Sequence, residues 1–246
     1  MAATIKPSTE DSDAFDDPTL YRRTVGALQY LTVTRPDLDF SINKVAQYMS
    51  KTTISHWAAV KRILWYIKHT HTLGLHIHRS QSTQLHGYTD SDWVGYLDDR
   101  HCQGGYFIYY GPNLISWSSK QKSNVSRSST KAECRSLAIL AAELTWIQML
   151  LHEMGLPLVS SPVLWCDNIG ATYLASNPIH HSCSKHVELD FHFVRDKVQH
   201  RLLEVRFLTI VDQTTDIFTK PLHVRHFTFL RDKLSLTSTA SLEGAC

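Results

Sequence analysis

The sequence lacks any closely spaced pair of cysteines. It contains no CxxC motif, and its cysteines are odd in number: Cys102, Cys134, Cys166, Cys183 and Cys246. This spacing gives no basis for a disulfide framework or a zinc ribbon. Because structural disulfides are typical of oxidising compartments, we expect a protein of a reducing, intracellular compartment.

The sequence also lacks a segment typical of secretion or membrane insertion. Residues 1–7 contain no apolar stretch of the kind that a secretory signal needs. The longest apolar run, 137–151, is interrupted by Glu143 and Gln148 and is shorter than a bilayer span. We therefore predict a protein that is not secreted and has no membrane partner, and we interpret the run as a buried helix.

No excess of one charge marks a partner. Lys and Arg number 25 against 23 Asp and Glu, while 43% of residues are hydrophobic and 20% are charged, as in ordinary globular proteins. A balanced total can still combine an acidic site with a basic face. Charge alone therefore neither indicates nor excludes a nucleic-acid partner.

What the sequence does contain is a succession of distinct residue patterns. Ser, Thr, Asp and Pro dominate residues 1–19, which predicts a disordered lead-in. Residues 20–76 repeat apolar residues at helical spacing and predict a small all-helical segment. Between 77 and 234 strand and helix patterns follow one another. Residues 235–246 predict a flexible tail.

The order of elements within 77–234 predicts the fold class. Three strand patterns joined by short connections come first, followed by helix, strand, helix, helix, strand and helix. Tight turns join antiparallel strands, whereas helices connect parallel ones. The predicted fold is α/β, a three-layer arrangement with a five-stranded mixed sheet and helices on both faces.

The first of these strands carries two carboxylates on one face. Alternation along the strand places Asp90 and Asp92 on the same side, together with Tyr88. Neighbouring carboxylates repel each other and are costly to desolvate. Water, a helix N-terminus, a basic partner or a metal ion could compensate them. A divalent metal site for phosphodiester chemistry is the hypothesis that further acids can support.

Three further acids lie at the predicted ends of elements. Glu133 also fits a capping box with Thr130, Asp167 also fits an N-cap, and Asp216 also fits a favourable helix-start acid. These structural alternatives stay open for each residue taken alone. If the first and fourth strands are neighbours, Asp90 and Asp167 lie side by side, and a helix on the sheet can bring in Glu133. Two Mg²⁺ ions would balance four converging acids and support in-line hydrolysis.

Six motifs, in family order, resemble the RNase H domain of copia-type LTR retrotransposons, above all the plant members. They are Tyr88–Gly95, Ile115–Gln121, Ser126–Glu133, Trp165–Asn168, Lys185–Arg195 and Asp216–Leu222. Upstream, 17–37 and 56–62 resemble the end of the reverse transcriptase of the same Pol polyprotein. The resemblance covers about residues 17–234.

The resemblance implies an RNase H fold and a particular chemistry. Its catalytic, metal-binding acids map onto Asp90, Glu133, Asp167 and Asp216, which leaves Asp92 as a strand companion. It implies two Mg²⁺ ions, for which Mn²⁺ could substitute, and endonucleolytic hydrolysis of the RNA strand of RNA–DNA hybrids. The implied partners are the hybrid and the rest of a Pol polyprotein. The residues expected to contact substrate are Asn168, Ser129, Arg100, Lys185 and His186.

The sequence departs from the family pattern at two places. Arg100–Gly105 replaces the usual Arg-Arg-Ser-Thr-Ser-Gly stretch and loses one Arg and three hydroxyls, which puts a contact with the substrate backbone in doubt. Near the last acid, Thr215 replaces an Ala of the family's Q-x-A-D pattern. The first departure favours an alternative, a catalytically inert fragment of a degenerate element that binds nucleic acid weakly at most.

Two further patterns suggest chemistry that we do not expect. Tyr96–Asp99 mimics the Y-x-D-D of a polymerase, but it follows the first RNase H strand and no fingers or palm are present, so no polymerase activity is expected. The cluster 180–186 invites a zinc-binding interaction module as a third alternative. It lacks a second well-spaced ligand pair, so no zinc is expected. For His186 a structural hydrogen bond is favoured over proton transfer.

Overall fold

The computed structural model describes residues 13–92, 102–121, 128–176, 185–209 and 213–238. They belong to two compact units, one formed by Met1–Ile77 with Lys220–Cys246 and the other by His78–Thr219. The helices are α1 (Pro18–Leu31), α2 (Asp39–Ala46), α3 (Ile54–His69), α4 (Ser129–Glu153), α5 (Ile169–Ser176), α6 (Lys185–Gln199), α7 (Asp216–Thr219) and α8 (Val224–Asp232). The strands are β1 (Leu73–Leu75), β2 (Leu85–Asp92), β3 (Gln103–Tyr110), β4 (Asn113–Gln121), β5 (Val163–Cys166), β6 (Glu204–Phe207) and β7 (Leu236–Ser238).

The first unit is ordered from a point earlier than the sequence predicts. Ala14 forms an isolated β-bridge with Thr53, and Phe15 stacks on Trp57 with ring centroids 5.0 Å apart. Asp17 then caps α1, since its side chain accepts a hydrogen bond from the amide of Leu20 at 2.8 Å. The predicted disordered lead-in therefore extends too far, while residues 1–12 lie outside the described part of the chain.

Three helices bury the core of the first unit. Their inward faces share aliphatic side chains at helical spacing, which is why the period-3.6 pattern predicted them. The fully buried members are Tyr21, Val25, Leu28, Leu38, Ile42, Val45, Val60 and Ile63. The Tyr21 hydroxyl donates to the carbonyl of Val45 at 2.7 Å, so this buried polar group is satisfied.

A buried ion pair joins the turn before α2 to α3. Arg35 donates to both carboxylate oxygens of Asp37, from Nε at 2.9 Å and from Nη2 at 2.8 Å. The hydroxyl of Tyr66 donates to Asp37 Oδ2 at 2.7 Å, and Arg35 Nη1 donates to the carbonyl of Thr70 at 2.9 Å. Burial, reinforced by the Asp37 carboxylate, raises the pKa of Tyr66 to about 12. The pair thus connects α3 to the turn through several charge-assisted hydrogen bonds.

The C-terminal segment belongs to the first unit and contains a strand that the sequence did not predict. β7 pairs antiparallel with β1, from Leu73 opposite Ser238 to Leu75 opposite Leu236. The predicted flexible tail thus begins too early, since 236–238 are ordered, and 239–246 lie outside the described residues. Residues 220–234, predicted to belong to the second domain, cluster with the first unit instead.

The second unit is built on a five-stranded mixed sheet in the order β4-β3-β2-β5-β6. β2, β3 and β4 pair antiparallel, whereas β5 runs parallel to β2 and β6 parallel to β5. The predicted antiparallel meander is confirmed, and the first and fourth strands of the sheet are neighbours, which is the condition on which Asp90 and Asp167 were expected to lie side by side. β2 is therefore the central strand, with the meander on one side and the parallel strands on the other.

Helices cover both faces of this sheet. α4 packs its buried stripe on one face, where Leu137, Leu140, Leu144 and Ile147 contribute to the core. α7 lies on the opposite face, where Phe218 approaches Phe107 with ring centroids 5.9 Å apart. Among the described residues α4 is also long and apolar enough to cross a membrane by length and composition, but half of that stretch is buried within the protein.

The ion pair of the first unit generates a stability prediction. Replacing Asp37 by Asn should lower the free energy of unfolding by about 3–5 kcal/mol, because Arg35 would stay buried without its counter-charge. Urea denaturation followed by circular dichroism measures this loss.

The matched control for this change is Asp232→Asn in the same unit. Asp232 pairs with Arg231 at 2.9 Å, but its side chain is 61% exposed, so its loss should cost less than about 1 kcal/mol. Equal effects of the two substitutions would contradict the structural role of the buried pair.

Candidate active site

Asp90 occupies the central strand of the second unit and is almost fully buried. Its side chain is on the α7 face of β2, where it accepts a hydrogen bond from the hydroxyl of Thr219. Both residues are at most 2% exposed. Across the ladder Asp90 lies opposite Gly105 of β3. A buried carboxylate is thus held in one orientation by a side chain of α7.

Gly105 allows α7 to approach the sheet this closely. A Cβ atom at this position would lie 2.7 Å from Cβ of Phe218 and 2.9 Å from Cγ2 of Thr219, which is closer than carbon atoms pack. The hydroxyl of Ser119 on β4 also donates to the carbonyl of Phe218. The close contact and the hydrogen bond together fix the short helix beside Asp90.

The segment before α7 is attached to β2 as well. Nε2 of Gln213, which is 1% exposed, donates to the carbonyl of Thr89 at 3.1 Å. The hydroxyl of Thr215 donates to Oε1 of Gln213 at 2.9 Å. Thr215 is the residue that replaces the family's Ala, and its added hydroxyl therefore has a partner inside the protein. The departure from the pattern thus leaves no unsatisfied hydroxyl here.

Glu133 reaches the sheet from α4 on the opposite face. The N-cap of α4 is Ser128, whose side chain accepts from the amide of Lys131 at 3.3 Å. The capping box predicted as an alternative for Thr130 and Glu133 is wrong, because both residues lie inside the helix. The Glu133 side chain, 5% exposed, instead accepts at Oε1 from the amide of Ser91 on β2 at 3.0 Å.

Asp167 directly follows β5 and is half-buried. The ladder between β2 and β5 ends at the pair Thr89 and Cys166, so Asp90 and Asp167 directly follow the last paired residues of neighbouring strands. The N-cap alternative for Asp167 is wrong, because Asn168 caps α5 by accepting from the amide of Ala171 at 2.9 Å. Neither Glu133 nor Asp167 is explained as a helix cap.

The structure brings two of the predicted acids together with a cysteine. One donor atom each from Glu133, Asp167 and the unpredicted Cys166 lie within 4.8 Å of one another. Asp90 is on the adjoining strand and Asp216 is the first residue of α7, so both lie outside this group. Burial, followed by the nearby charge of Glu133, raises the pKa of the Cys166 thiol, which is therefore neutral at neutral pH.

The group suits a divalent cation by its chemistry. Carboxylate oxygens are the ligands that Mg²⁺ prefers, whereas a neutral thiol is not a Mg²⁺ ligand. Ser91, whose amide contacts Glu133, is only 6% exposed. Its hydroxyl oxygen Oγ is buried and has no hydrogen-bond partner among the described residues. Buried polar atoms of this kind are typically satisfied by water or an ion.

The predicted substrate-contacting residues have diverse positions. Ser129 is the exposed first residue of α4, and Asn168 serves as the cap of α5. Lys185 and His186 begin α6, with side chains outside the described part of the structure, and Arg100 lies outside the described residues. The stretch 96–99, which suggested a polymerase, lies outside the described residues. The stretch 180–186, which suggested a zinc site, lies outside them except for Lys185 and His186. Asp92, the predicted strand companion, ends β2 opposite Gln103.

Comparisons with known proteins find similar sequences among retrovirus-related Pol polyproteins. No family model matches the chain. The retrovirus-related Pol polyprotein from transposon RE2 of Arabidopsis thaliana is 46% identical over 222 residues, 90% of this chain and 15% of that protein. The polyprotein from transposon RE1 of the same plant is 44% identical over 237 residues, 96% of this chain and 16% of that protein. The chain is similar to a part of the copia-type retrotransposon Pol polyproteins.

The chain corresponds to a small part of these relatives. It spans 15–16% of the length of the Arabidopsis polyproteins. A third relative, the Pol polyprotein from transposon TNT 1-94 of Nicotiana tabacum, is 31% identical over 219 residues, 89% of this chain and 16% of that protein.

Solved structures resemble the chain in fold. The foamy viral protease-reverse transcriptase in complex with RNA/DNA hybrid matches 88% of this chain and 28% of that one, with a TM-score of 0.50 and 12% identity. LC11-RNase H1 in complex with RNA/DNA hybrid matches 55% of this chain and 94% of that one, with a TM-score of 0.42 and 13% identity. The order of the five strands confirms the predicted α/β fold with a five-stranded mixed sheet.

The close packing of α7 generates a second stability prediction. Replacing Gly105 by Ala should cost about 1–3 kcal/mol of folding free energy, because the new Cβ would overlap Phe218 and displace α7. Denaturation with urea, monitored by circular dichroism, gives the magnitude.

The control for this change is Gly26→Ala in α1, where no atom lies within 4 Å of the added Cβ. Alanine favours the helix interior, so this variant should be neutral or more stable by about 0.5–1 kcal/mol. A Gly105→Ala protein as stable as the wild type would show that α7 is not held against β3.

Proposed function

We propose that this chain is a retrotransposon ribonuclease H that hydrolyses the RNA strand of RNA–DNA hybrids. The observation that carries the proposal is the group of Glu133 and Asp167 next to the strand that holds the buried Asp90. Because the chain is similar to a part of Pol polyproteins, a nuclease is the favoured function for such a group of acids. Polymerase activity is not part of the proposal.

The metal-binding residues in this proposal are Asp90, Glu133, Asp167 and Asp216, with two Mg²⁺ ions as the resident cations and Mn²⁺ as a possible substitute. Bound ions would lower the pKa of a water molecule and stabilise the charge that develops on the phosphate in an in-line displacement. The acids alone would repel one another. Their convergence is an expectation of the family pattern, which the positions of Glu133 and Asp167 support.

The chain's own contribution is to hold the carboxylates in place. Thr219 orients the Asp90 carboxylate, the amide of Ser91 orients that of Glu133, and Asp216 is carried by the same short helix as Thr219. Ligands that are already fixed need no reorganisation when a metal ion binds. Hydrogen-bond partners that orient the ligands therefore raise the affinity of the site for the ion. The hydrogen bonds around α7 therefore support the metal site indirectly.

The proposed substrate is recognised by shape and by its sugar. A protein distinguishes RNA from DNA through the 2′-hydroxyl and the form of the helix, so little base specificity is expected. Glu133 is the acid expected to sense the 2′-hydroxyl, and Asn168 and Ser129 are the expected contacts among residues with described side chains. Because the phosphates dominate affinity, binding of the hybrid should weaken as salt rises.

Substitution of Asp90 tests the catalytic proposal. Asp90→Asn should reduce Mg²⁺-dependent cleavage of a labelled RNA–DNA hybrid by at least about 100-fold, because a ligand is lost at a site where even supporting partners matter by 10- to 100-fold. Cleavage products are measured on a denaturing gel over a range of Mg²⁺ concentrations.

Asp92→Asn is the matched control, since it removes a carboxylate from the same strand face two residues further on. It should retain most of the cleavage activity. Equal rates for the Asp90 variant and the wild type, or no cleavage by the wild type, would favour the alternative of an inert copy of the element.

Thr219 gives a second functional prediction. Thr219→Val removes the hydroxyl that orients Asp90 and should lower cleavage or apparent Mg²⁺ affinity by about 10- to 100-fold. Thr219→Ser keeps the hydroxyl and should restore most of the loss. If Val and Ser variants have the same Mg²⁺ dependence, the hydroxyl does not position Asp90.

A further inference from the structure

A thiol lies within the group of carboxylates at the end of β5. Cys166 is fully buried, and its Sγ is within 4.8 Å of a carboxylate oxygen of both Glu133 and Asp167. We propose that Glu133, Cys166 and Asp167 form a binding site for one thiophilic divalent cation, such as Zn²⁺ or Cd²⁺, which inhibits the nuclease by displacing Mg²⁺.

The distances suit such an ion after a small adjustment. Zn–S and Zn–O bonds of about 2.3 Å and 2.0 Å in tetrahedral geometry place the sulfur and oxygen ligands about 3.5 Å apart. Donors within 4.8 Å of one another must therefore move by roughly an ångström in total. Glu133 and Asp167 can provide this movement by rotation of their carboxylates, whereas Cys166 is fixed in the strand.

A second observation at the same place also indicates a ligand. Ser91 is on the α4 face of β2, since alternate residue Gly87 of that strand packs against Leu140 and Leu144 of α4. Its amide donates to Glu133 at 3.0 Å, while its buried Oγ has no hydrogen-bond partner among the described residues. A water molecule or hydroxide bound to an ion beside Glu133 would satisfy this hydroxyl.

The thiol separates two classes of cation. Mg²⁺ takes oxygen ligands in near-octahedral geometry and gains nothing from sulfur, so Cys166 stays a protonated bystander when Mg²⁺ is bound. Zn²⁺ and Cd²⁺ bind thiolate strongly. On their binding the S–H bond breaks, the metal–sulfur bond forms and the proton passes to solvent. The same group thus has oxygen ligands for a hard ion and a sulfur ligand for a softer one.

The inhibitory effect rests on the proposed function, but binding of the cation does not. A tetrahedral ion held by Glu133 and Asp167 would use two of the four acids that the nuclease proposal assigns to Mg²⁺. It would also lack the open octahedral positions that water and phosphate need. Zinc should therefore compete with Mg²⁺ and should not activate the enzyme.

The direct test is the binding of Cd²⁺ to the full-length chain without nucleic acid. The background carries Cys183→Ser and Cys246→Ser, which removes the two cysteines outside the described residues. Ultraviolet absorption from thiolate-to-cadmium charge transfer reports the metal–sulfur bond, and titration calorimetry gives stoichiometry and affinity for Zn²⁺. Circular dichroism verifies that each variant is folded.

We expect one Cd²⁺ per chain with a charge-transfer band that Cys166→Ala abolishes. Zn²⁺ affinity should fall by more than about 10-fold in that variant, the lower end of the loss seen when only an outer-shell partner is removed. Cys134→Ala is the control, because Cys134 is another buried cysteine of the same core. It should retain both the band and the affinity.

The cleavage assay then separates the two proposals. With Mg²⁺ in excess, Zn²⁺ should inhibit the wild type at concentrations at least about 10-fold lower than those that inhibit Cys166→Ala, each measured against its own zinc-free rate. Absence of the Cd²⁺ band in a folded wild type, or its persistence in Cys166→Ala, would overturn the site. If Cd²⁺ binds as expected but no protein cleaves hybrid, the nuclease proposal fails and the cation site stands.

Discussion

The close approach of two helices to the central strands of one sheet is the constraint on which the rest of the second unit depends. α4 approaches β2 at Gly87, where a Cβ would lie 2.8 Å from a methyl carbon of Leu140. α7 approaches β3 on the opposite face at Gly105. Both glycines have ordinary backbone conformations and are needed for space. A Cβ at Gly105 would meet Cβ and backbone atoms of α7 and would displace Thr219, whereas a Cβ at Gly87 would meet the methyl ends of Leu140 and Leu144.

This close packing lowers the electrostatic cost of the buried carboxylates before any metal binds. Buried carboxylates are costly unless hydrogen bonds satisfy them. The Asp90 carboxylate accepts a hydrogen bond from the hydroxyl of Thr219, and the Glu133 carboxylate accepts one from the backbone amide of Ser91. Each donor comes from a different element, so the hydrogen bonds that satisfy the acids also attach α7 and α4 to β2. The fold and the candidate site therefore share the same interactions.

The sequence predicted the sheet well because strand order depends on connection length and alternation, which are local properties. The neighbouring positions of Asp90 and Asp167 stayed conditional on the adjacency of two strands, which the structure provides. It was wrong about both helix caps, where Ser128 and Asn168 act in place of Thr130 and Asp167. Adjacent polar residues satisfy the capping rules equally well, so only the helix start decides between them. The pairing of β1 with β7 was missed because short strands far apart in sequence leave no periodic signal.

Cys166 was missed for a different reason, since its role depends on the position of another element. In the sequence it is one apolar residue of a buried strand and precedes the acid that the motif singles out. Its thiol becomes a candidate ligand only because α4 places Glu133 on the same side of the sheet. The end of a strand that a helix covers can thus present hard and soft donors to one space, and the sequence alone reveals only the carboxylates. The distinction between a magnesium site and an additional thiophilic site therefore arises from packing and not from the motif.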